Sequence, residues 1–236
     1  MARKRRKRRR KSALGLIPLW ILVLTVLSLW LGKAYLPVEF LELLPWWAPS
    51  LEYGGDVSDT LGGVEFTDPS AKNSRDLVTF VTKAWEDEWG YVWGTFGTEL
   101  TEEFLTYKLN QYPKQVGRYE EFIRENWLGR RTADCVGLIK AYAWYDPARG
   151  TVRYNAGTMP DISTEQLFDA ATEKGRIKSI PEIPGLIVYA PGHVGVYIGD
   201  GCVIEAMGTK YGVVKTQLRE RNFTWWLKCP YFTYDE

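Results

Sequence analysis

The last part of this chain alternates short apolar runs with tight turns, and this pattern limits the fold more than any other feature. After Pro184 the sequence reads GLIVYAPGHVGVYIGDGCVIEAMG, with Val, Ile and Tyr runs separated by Pro-Gly and Gly-Asp-Gly. Such runs between such turns are typical of consecutive antiparallel strands. The stretches YGVVKTQL and WWLKCPYFTY continue the series. The sequence therefore predicts a small antiparallel sheet here.

Before Pro184 the apolar residues recur at helical spacing. In SRDLVTFVTKAWEDEWG, Ser74 is the predicted N-cap and Gly90 lies past the predicted end. TELTEEFLTYKLNQY, GRYEEFIRENWLG and DCVGLIKAYAWY are also predicted to form helices, and STEQLFDAATEKG has a capping box, Ser163 with Gln166, and a closing Gly175. Helices followed by strands predict an α+β fold in which helices pack on the sheet.

The N-terminus combines a basic tail with an apolar run. Residues 1–11 hold nine Lys or Arg, and residues 12–32 have no charged side chain. About 20 apolar residues suffice to cross a bilayer. We expect residues 12–32 to form an uncleaved transmembrane helix, with a cleaved signal peptide or a buried core helix as alternatives. A signal peptide usually has a shorter apolar region and a small-residue cleavage site, which LWLGKAYL does not offer.

The basic tail predicts the orientation of the chain in a membrane. Basic residues stay on the cytoplasmic side, so everything after Lys33 is expected outside a cell membrane that the chain crosses once. A nucleic-acid-binding arm is the alternative interpretation of the tail, which the adjoining apolar run argues against. Of the 30 Lys and Arg residues nine lie in this tail, so 21 bases face 29 acids in the remainder. We expect a linker over residues 33–73 and one folded domain over residues 74–236.

The chain has three cysteines and one histidine. Three cysteines are too few for a disulfide scaffold, although Cys202 could pair with Cys229 and leave Cys135 free. A single histidine excludes a metal site built on several histidines. The sequence leaves the redox state of Cys202 and Cys229 open.

Cys135 lies where LGRRTAD gives way to an apolar helical run. Thr132 or Asp134 could cap a helix that begins at or beside Cys135. The N-terminus of a helix favours the thiolate over the thiol and offers backbone donors to an oxyanion. Inert packing is the usual role of a lone cysteine, so this position alone does not establish catalysis.

His193 and Glu205 lie on the two strands joined by the Gly-Asp-Gly turn. The turn is expected to bring the two residues near each other across a hairpin. A carboxylate that accepts one imidazole N–H orients the ring and stabilises its cation, the third role in a nucleophile, base and orienter set. The alternatives are a polar turn residue for His193 and a surface carboxylate for Glu205.

Three motifs occur in a fixed order: YVWG at 91–94, DCVGLIKAY from Asp134, and GHVGVYIGDGCVIEA from Gly192. Together they resemble the NlpC-type cysteine peptidases, papain-like domains that cleave bacterial cell-wall peptides. The resemblance covers roughly Asp76 to the C-terminus. It implies that Cys135 is the nucleophile, that His193 is the base and that Glu205 is the third residue.

The resemblance also implies substrate contacts, and the chain departs from the family at three points. Tyr91 matches a tyrosine of the substrate cleft, Asp134 an acid that can meet a free amine of the stem peptide, and Trp93 is a further candidate; core packing is the alternative for both aromatic residues. Val136 replaces the usual serine, and the third residue is more often His, Asn or Gln. Residues 98–130 form an insertion that could cap the cleft or bind a partner.

The resemblance implies a membrane-anchored hydrolase of peptidoglycan stem peptides that cuts between D-glutamate and the diamino acid. An N-acetylmuramoyl-L-alanine amidase or a transpeptidase with the same residues is one alternative. A module that binds the wall or a partner protein without catalysis is another. No metal or organic cofactor and no nucleic-acid partner are implied.

Overall fold

We describe a computed structural model of the chain, in which residues 61–234 are described. Five α-helices occur in this part, with short 3₁₀ turns between some of them. They are α1 (Ser74–Glu86), α2 (Glu102–Gln111), α3 (Glu120–Asn126), α4 (Cys135–Trp144) and α5 (Thr164–Ala170).

Ten strands accompany these helices: β1 (Phe96–Glu99), β2 (Arg131–Ala133), β3 (Tyr145–Asp146), β4 (Thr151–Val152), β5 (Lys174–Arg176), β6 (Ile187–Ala190), β7 (His193–Gly199), β8 (Cys202–Gly208), β9 (Gly212–Gln217) and β10 (Trp225–Leu227). Six of them form one antiparallel sheet in the order β5-β10-β6-β7-β8-β9. The predicted α+β class and the predicted antiparallel sheet are confirmed.

The hairpin between β7 and β8 follows the predicted Gly-Asp-Gly turn. Val196 pairs with Ile204 and Tyr197 with Val203. The two turn residues, Asp200 and Gly201, both have positive φ, which matches the twist of a two-residue hairpin. This turn fixes the register that the candidate site depends on.

Helix α4 lies at the centre of the domain and packs on α1, β7 and β8. Nine of its ten residues are buried, all but Lys140. A helix that is apolar on almost every side is a core helix. Its first turn is therefore held rigidly against the strands that carry the other candidate residues.

Two helix ends differ from the sequence prediction. Asn73, not Ser74, is the N-cap of α1, because its side-chain oxygen accepts the backbone N–H of Asp76 at 2.8 Å. The predicted capping box of α5 is present, with Ser163 and Gln166 bonded reciprocally. Gly175 does not close α5, since it lies in β5, where it pairs with Trp226.

The insertion at 98–130 holds the two predicted helices, α2 and α3, but both are shorter than predicted. Strand β1 runs into the start of the insertion and pairs with β2, which follows it. Neither strand was predicted from the sequence. The insertion is tied to the main sheet through Trp127, whose indole N–H donates to the carbonyl of Thr209 at 2.7 Å.

Several predictions concern the region before the described residues. The basic tail (1–11), the predicted transmembrane helix (12–32) and most of the predicted linker lie outside the described part. Within residues 61–234 no helix combines the length and the apolar character needed to cross a membrane. Residues 61–73, predicted as linker, lie against the domain: the N–H of Leu61 donates to the carbonyl of Gly150, and Thr67 donates to Asp76.

Cys202 and Cys229 are both free thiols. Cys202 begins β8, whereas Cys229 follows β10, and β6 and β7 lie between those two strands. Three strand spacings amount to about 14 Å, and a disulfide needs Cα atoms within about 7 Å. The pairing left open by the sequence therefore does not occur in this fold.

Candidate active site

Cys135 is the first residue of α4, and Asp134 caps the helix. The Oδ1 atom of Asp134 accepts the backbone N–H of Gly137 at 2.6 Å. This confirms one of the two predicted caps. The cysteine side chain thus lies beside the unpaired backbone N–H groups of the first helical turn.

The other oxygen of Asp134 anchors the YVWG segment. Its Oδ2 accepts the N–H of Gly94 at 2.8 Å, and the Asp134 N–H donates to the carbonyl of Thr95 at 3.0 Å. A Cβ atom at Gly137 would come within 2.0 Å of that Thr95 oxygen. Glycine at 137 therefore permits the close contact that joins the YVWG segment to the start of α4.

The buried position of Cys135 disfavours the thiolate form of its side chain. Burial raises its pKa to about 12 and the charge of Asp134 acts in the same direction, whereas the backbone N–H groups of Val194, Val136 and Cys135 oppose the shift. The sequence predicted that the helix N-terminus would favour the thiolate. The backbone N–H groups do act in that direction, but the cost of burying the thiolate outweighs them. A base is needed to remove the proton.

His193 begins β7 and lies next to Val194, whose N–H is a donor to the Cys135 thiol. The Nε2 atom of His193 lies 2.6 Å from Oε2 of Glu205. Since an ionised carboxylate only accepts, Nε2–H donates, and in the neutral ring Nδ1 then carries the lone pair. His193 can therefore take up a proton at Nδ1 while Glu205 holds the opposite side of the ring.

Glu205 lies in the middle of β8 and is completely buried. Burial by itself would raise its pKa, but hydrogen bonds from His193, Arg221 and Thr216 lower the pKa to about 2. The register of the β7–β8 hairpin explains why Glu205 and His193 lie close together. Because Val196 pairs with Ile204, Gly195 lies beside Glu205, and a Cβ atom at 195 would come within 3.2 Å of the Glu205 Cβ and 3.3 Å of the Phe223 ring that stacks on the imidazole.

Two residues of this cluster were not singled out from the sequence. Arg221 donates from Nε and Nη2 to the two oxygens of Glu205 at 2.7 and 2.8 Å, and Thr216 donates from Oγ1 at 2.7 Å. A Glu in an otherwise apolar strand is a signal that a cation must lie nearby, because buried charges are paired. Nothing in the sequence identifies which cation it is.

Two further contacts hold His193 in place. The ring of Phe223 stacks on the imidazole, with centroids 5.7 Å apart and planes 15° from parallel. In the preceding turn, the N–H of Gly192 donates to Glu165 of α5 at 3.0 Å. The side chain and the turn before it are therefore both fixed by neighbouring elements.

An open cleft of about 390 Å³ lies in front of Cys135. Its walls come from the YVWG segment, the start of α4, the segment before α5 and the insertion, and they include Trp93, Asp134, Lys108, Lys140, Tyr112 and Glu165. Trp93 is 41% exposed, the arrangement expected of a residue that meets a ligand. The insertion thus contributes directly to the wall of the cleft.

The three residues predicted to bind substrate differ in their positions. Trp93 and Asp134 line the cleft. Tyr91 is buried close to Asp134 and Cys135, and burial together with their charges raises the pKa of its hydroxyl. Burial also raises the pKa of Asp134, against the opposing effects of Lys140, its two backbone hydrogen bonds and Lys108.

The arrangement suits nucleophilic chemistry without a metal ligand set. Cys135 supplies a thiol, His193 supplies a base at the start of the strand whose Val194 N–H faces that thiol, and the first turn of α4 supplies N–H groups that can face an oxyanion. Among residues 61–234, no three His, Cys, Asp or Glu side chains cluster as ligands for a metal ion.

No protein-family model and no curated protein matches the sequence. Among solved structures, NlpC1 from Trichomonas vaginalis matches at 15% identity and a TM-score of 0.41, over 72% of this chain and 48% of that one. The P60 domain of an antigen from M. avium subspecies paratuberculosis matches at 21% identity and a TM-score of 0.37, over 68% of this chain and 98% of that one. The peptidoglycan hydrolase RipB from Mycobacterium tuberculosis matches at 17% identity and 0.37, over 92% of each chain.

This chain therefore spans about half the length of the NlpC1 chain and nearly all of the other two. All three matches are at low identity. Among solved structures the chain is similar to NlpC and P60 domains, the family that its three motifs resemble.

Proposed function

We propose that this chain is a cysteine hydrolase of bacterial cell-wall peptides. The observation that supports it best is the hydrogen bond from the only histidine in the chain to the buried carboxylate of Glu205, with the Cys135 thiol beside the same strand. A buried charged pair of this kind adds little net stability compared with apolar residues of the same size. A role in catalysis explains the presence of the His193–Glu205 pair better than a contribution to stability does.

In the first half of the proposed reaction, Nδ1 of His193 takes the proton from Cys135 as the sulfur attacks the amide carbonyl carbon. The resulting oxyanion faces backbone N–H groups at the start of α4. The imidazolium then gives its proton to the amide nitrogen, the C–N bond breaks, and the amine leaves. An acyl-enzyme on Cys135 remains.

In the second half, water attacks the thioester carbonyl while His193 takes one of its protons. The C–S bond breaks, the carboxylic acid leaves, and His193 returns the proton to the sulfur. Glu205 stays ionised throughout. It holds Nε2–H so that Nδ1 remains directed at the sulfur, and its negative charge stabilises the imidazolium.

The substrate is proposed to be the stem peptide of peptidoglycan, cut between D-glutamate and the diamino acid. The motif resemblance supports this choice of bond. An open cleft with Trp93 at its wall and charged side chains of both signs suits an extended peptide that carries amino and carboxyl groups. The chain is further proposed to be anchored by residues 12–32 with the domain outside the cell, which rests on the charge pattern of the N-terminus.

A second candidate function is a module that binds wall peptides without cleaving them. The raised pKa of the Cys135 thiol favours it, since reactive cysteines usually have a lowered pKa. The set of Cys135, His193 and Glu205 argues for the hydrolase, because a binding module needs no base next to a thiol.

A digest of purified muropeptides by the full chain separates the candidates. Wild type, Cys135→Ala and, as a matched control, Cys202→Ala are incubated with muropeptides of several wall chemotypes under reducing conditions and analysed by mass spectrometry. We expect new fragments from wild type and Cys202→Ala and none from Cys135→Ala. The fragment masses identify the bond, and joined products would indicate a transpeptidase. If the muropeptides stay intact with all three proteins, the binding module is the candidate that remains.

A further inference from the structure

The carboxylate of Glu205 has more partners than a nucleophile, base and orienter set requires. It accepts one hydrogen bond from His193, two from the guanidinium of Arg221 and one from the hydroxyl of Thr216, with donor-to-oxygen distances of 2.6 to 2.8 Å. The side chain of Glu205 has no exposed surface. One negative charge is thus shared between the imidazole and a permanent cation.

Arg221 reaches this carboxylate from the surface. Its side chain is 29% exposed and lines a surface depression with Trp85, Lys215, Thr216, Gln217 and Glu220. This depression is formed by residues other than those lining the cleft in front of Cys135. Arg221 thus lies outside the cleft lining and bonds to Glu205, the residue that holds His193.

The elements that pack most closely on β8 are β7, β9, α1 and α4. Their charged and titratable groups are His193 and Tyr197 on β7, Lys215 on β9, Arg75, Asp76, Lys83 and Glu86 on α1, and Cys135, Lys140 and Tyr142 on α4, with Asp134 just before α4 and Glu220 and Arg221 after β9. Lys215 is exposed and lies over the Trp85 ring, 5.4 Å from its centroid. His193 and Arg221 are the groups in this set that bond to the carboxylate.

We propose that Arg221 is a positioning residue that lowers the proton affinity of the His193–Glu205 pair, so that His193 is an unprotonated base over a wider range of pH. The inference deepens the proposed function and rests on it. A positive charge in hydrogen-bond contact with the carboxylate repels an additional proton on the pair. It also reduces the share of the Glu205 charge that is available to stabilise imidazolium.

The bidentate geometry adds a second effect. Two N–H donors in one plane fix the orientation of the carboxylate, and Oε2 then accepts both Nη2–H of Arg221 and Nε2–H of His193. A lysine at 221 would keep the charge but not this planar geometry. Charge and orientation can therefore be tested separately.

The single histidine makes the test direct. The full chain is labelled at histidine Cε1, so that its one NMR signal reports the protonation of His193 in wild type, Arg221→Gln, Arg221→Lys and Thr216→Val. In Arg221→Gln we expect the midpoint of the His193 titration to move up by about one pH unit or more. Arg221→Lys should stay closer to wild type, and Thr216→Val, which removes a neutral donor at nearly constant size, should move less than Arg221→Gln.

A midpoint in Arg221→Gln equal to that of wild type would overturn the inference. If Arg221→Gln does not fold, Arg221→Met, which fills similar space without charge, is titrated instead. A midpoint equal to that of wild type would then overturn the inference in the same way. If the chain hydrolyses muropeptides, the acid limb of kcat/KM should move by the same amount. Because the NMR titration needs no substrate, a shifted midpoint without any hydrolysis would contradict the proposed function and leave the role of Arg221 intact.

Discussion

His193 and Glu205 meet across a glycine: Nε2 of the imidazole lies 2.6 Å from Oε2 of the carboxylate, and Gly195 lies beside Glu205 in the hairpin. The carboxylate is completely buried, so its four hydrogen bonds replace the water that it loses. This relationship makes the base of the proposed reaction depend on an ion pair inside the sheet.

The substitution Glu205→Gln tests that dependence. The amide oxygen can still accept Nε2–H, but the neutral side chain cannot stabilise imidazolium, and its NH₂ group faces the donors of Arg221. We expect kcat/KM on muropeptides to fall by about 100-fold or more. Steady-state kinetics with a thermal unfolding curve checks this. Activity within a few-fold of wild type in a folded variant would show that the charge of Glu205 is not needed.

The same carboxylate gives a prediction about stability in acid. Its pKa is lowered to about 2 in the folded protein, from 4.5. A lowered pKa means that the ionised form stabilises the fold above pH 4.5 and that this stabilisation is lost as pH falls towards 2. The urea midpoint of wild type should therefore decrease more steeply between pH 5 and pH 2 than that of Glu205→Gln. Parallel decreases in the two proteins would contradict the prediction.

The raised pKa of Cys135 predicts how the thiol reacts without substrate. Below its pKa of about 12, the thiolate fraction, and with it the rate of alkylation by iodoacetamide, rises about tenfold per pH unit. Peptide mass spectrometry should follow the modification of Cys135 from pH 5 to pH 10, with Cys135→Ala as the blank. A rate that is constant down to pH 5 would instead indicate a thiolate paired with imidazolium at rest.

The packing at the start of α4 gives a prediction for Gly137→Ala. A methyl group there would come within 2.0 Å of the Thr95 carbonyl oxygen, so either the YVWG segment or the helix start must move. We expect a loss of about 1–3 kcal/mol in the free energy of unfolding and most of the activity. Gly117→Ala is the matched control, since no atom lies within 4 Å of the position that its methyl group would take. Equal unfolding midpoints for the two variants would refute the close contact.

The anchor proposed from residues 12–32 can be tested by vesicle flotation. The full chain should float with lipid vesicles in a density gradient, and a chain that lacks residues 1–32 should stay at the bottom. High salt should not release the full chain, because apolar insertion is not screened as surface charge is. A full chain that sediments, or that high salt releases, would argue against a spanning helix.

The helix cap and the hairpin register around the candidate residues could be predicted because each follows from a local pattern. The cap at Asp134 and the start of α4 follow from one short stretch, and the turn at Asp200 and Gly201 sets the register that joins His193 to Glu205. The net rise in the pKa of Cys135 could not be predicted, because it depends on burial by strands and loops distant in the sequence.

Other features could not be predicted because long-range contacts create them. Arg221 follows Glu205 by 16 residues in an irregular segment, and no periodicity marks it as the partner. Strand β10 lies between β5 and β6 although it is last in the chain, so the order of strands in the sequence does not give their order in the sheet. Strands β1 and β2 are four and three residues long and are defined by their pairing with each other.

The most direct test of the central claim is to trap the acyl-enzyme. The full chain is mixed with muropeptides, quenched in acid within milliseconds to seconds, and its intact mass and Cys135 peptide are measured. The proposed mechanism predicts an added mass equal to the acyl part of the stem peptide on Cys135, absent from Cys135→Ala and reduced in His193→Ala. Hydrolysis with no adduct at any quench time, or with an adduct on another residue, would contradict Cys135 as the nucleophile.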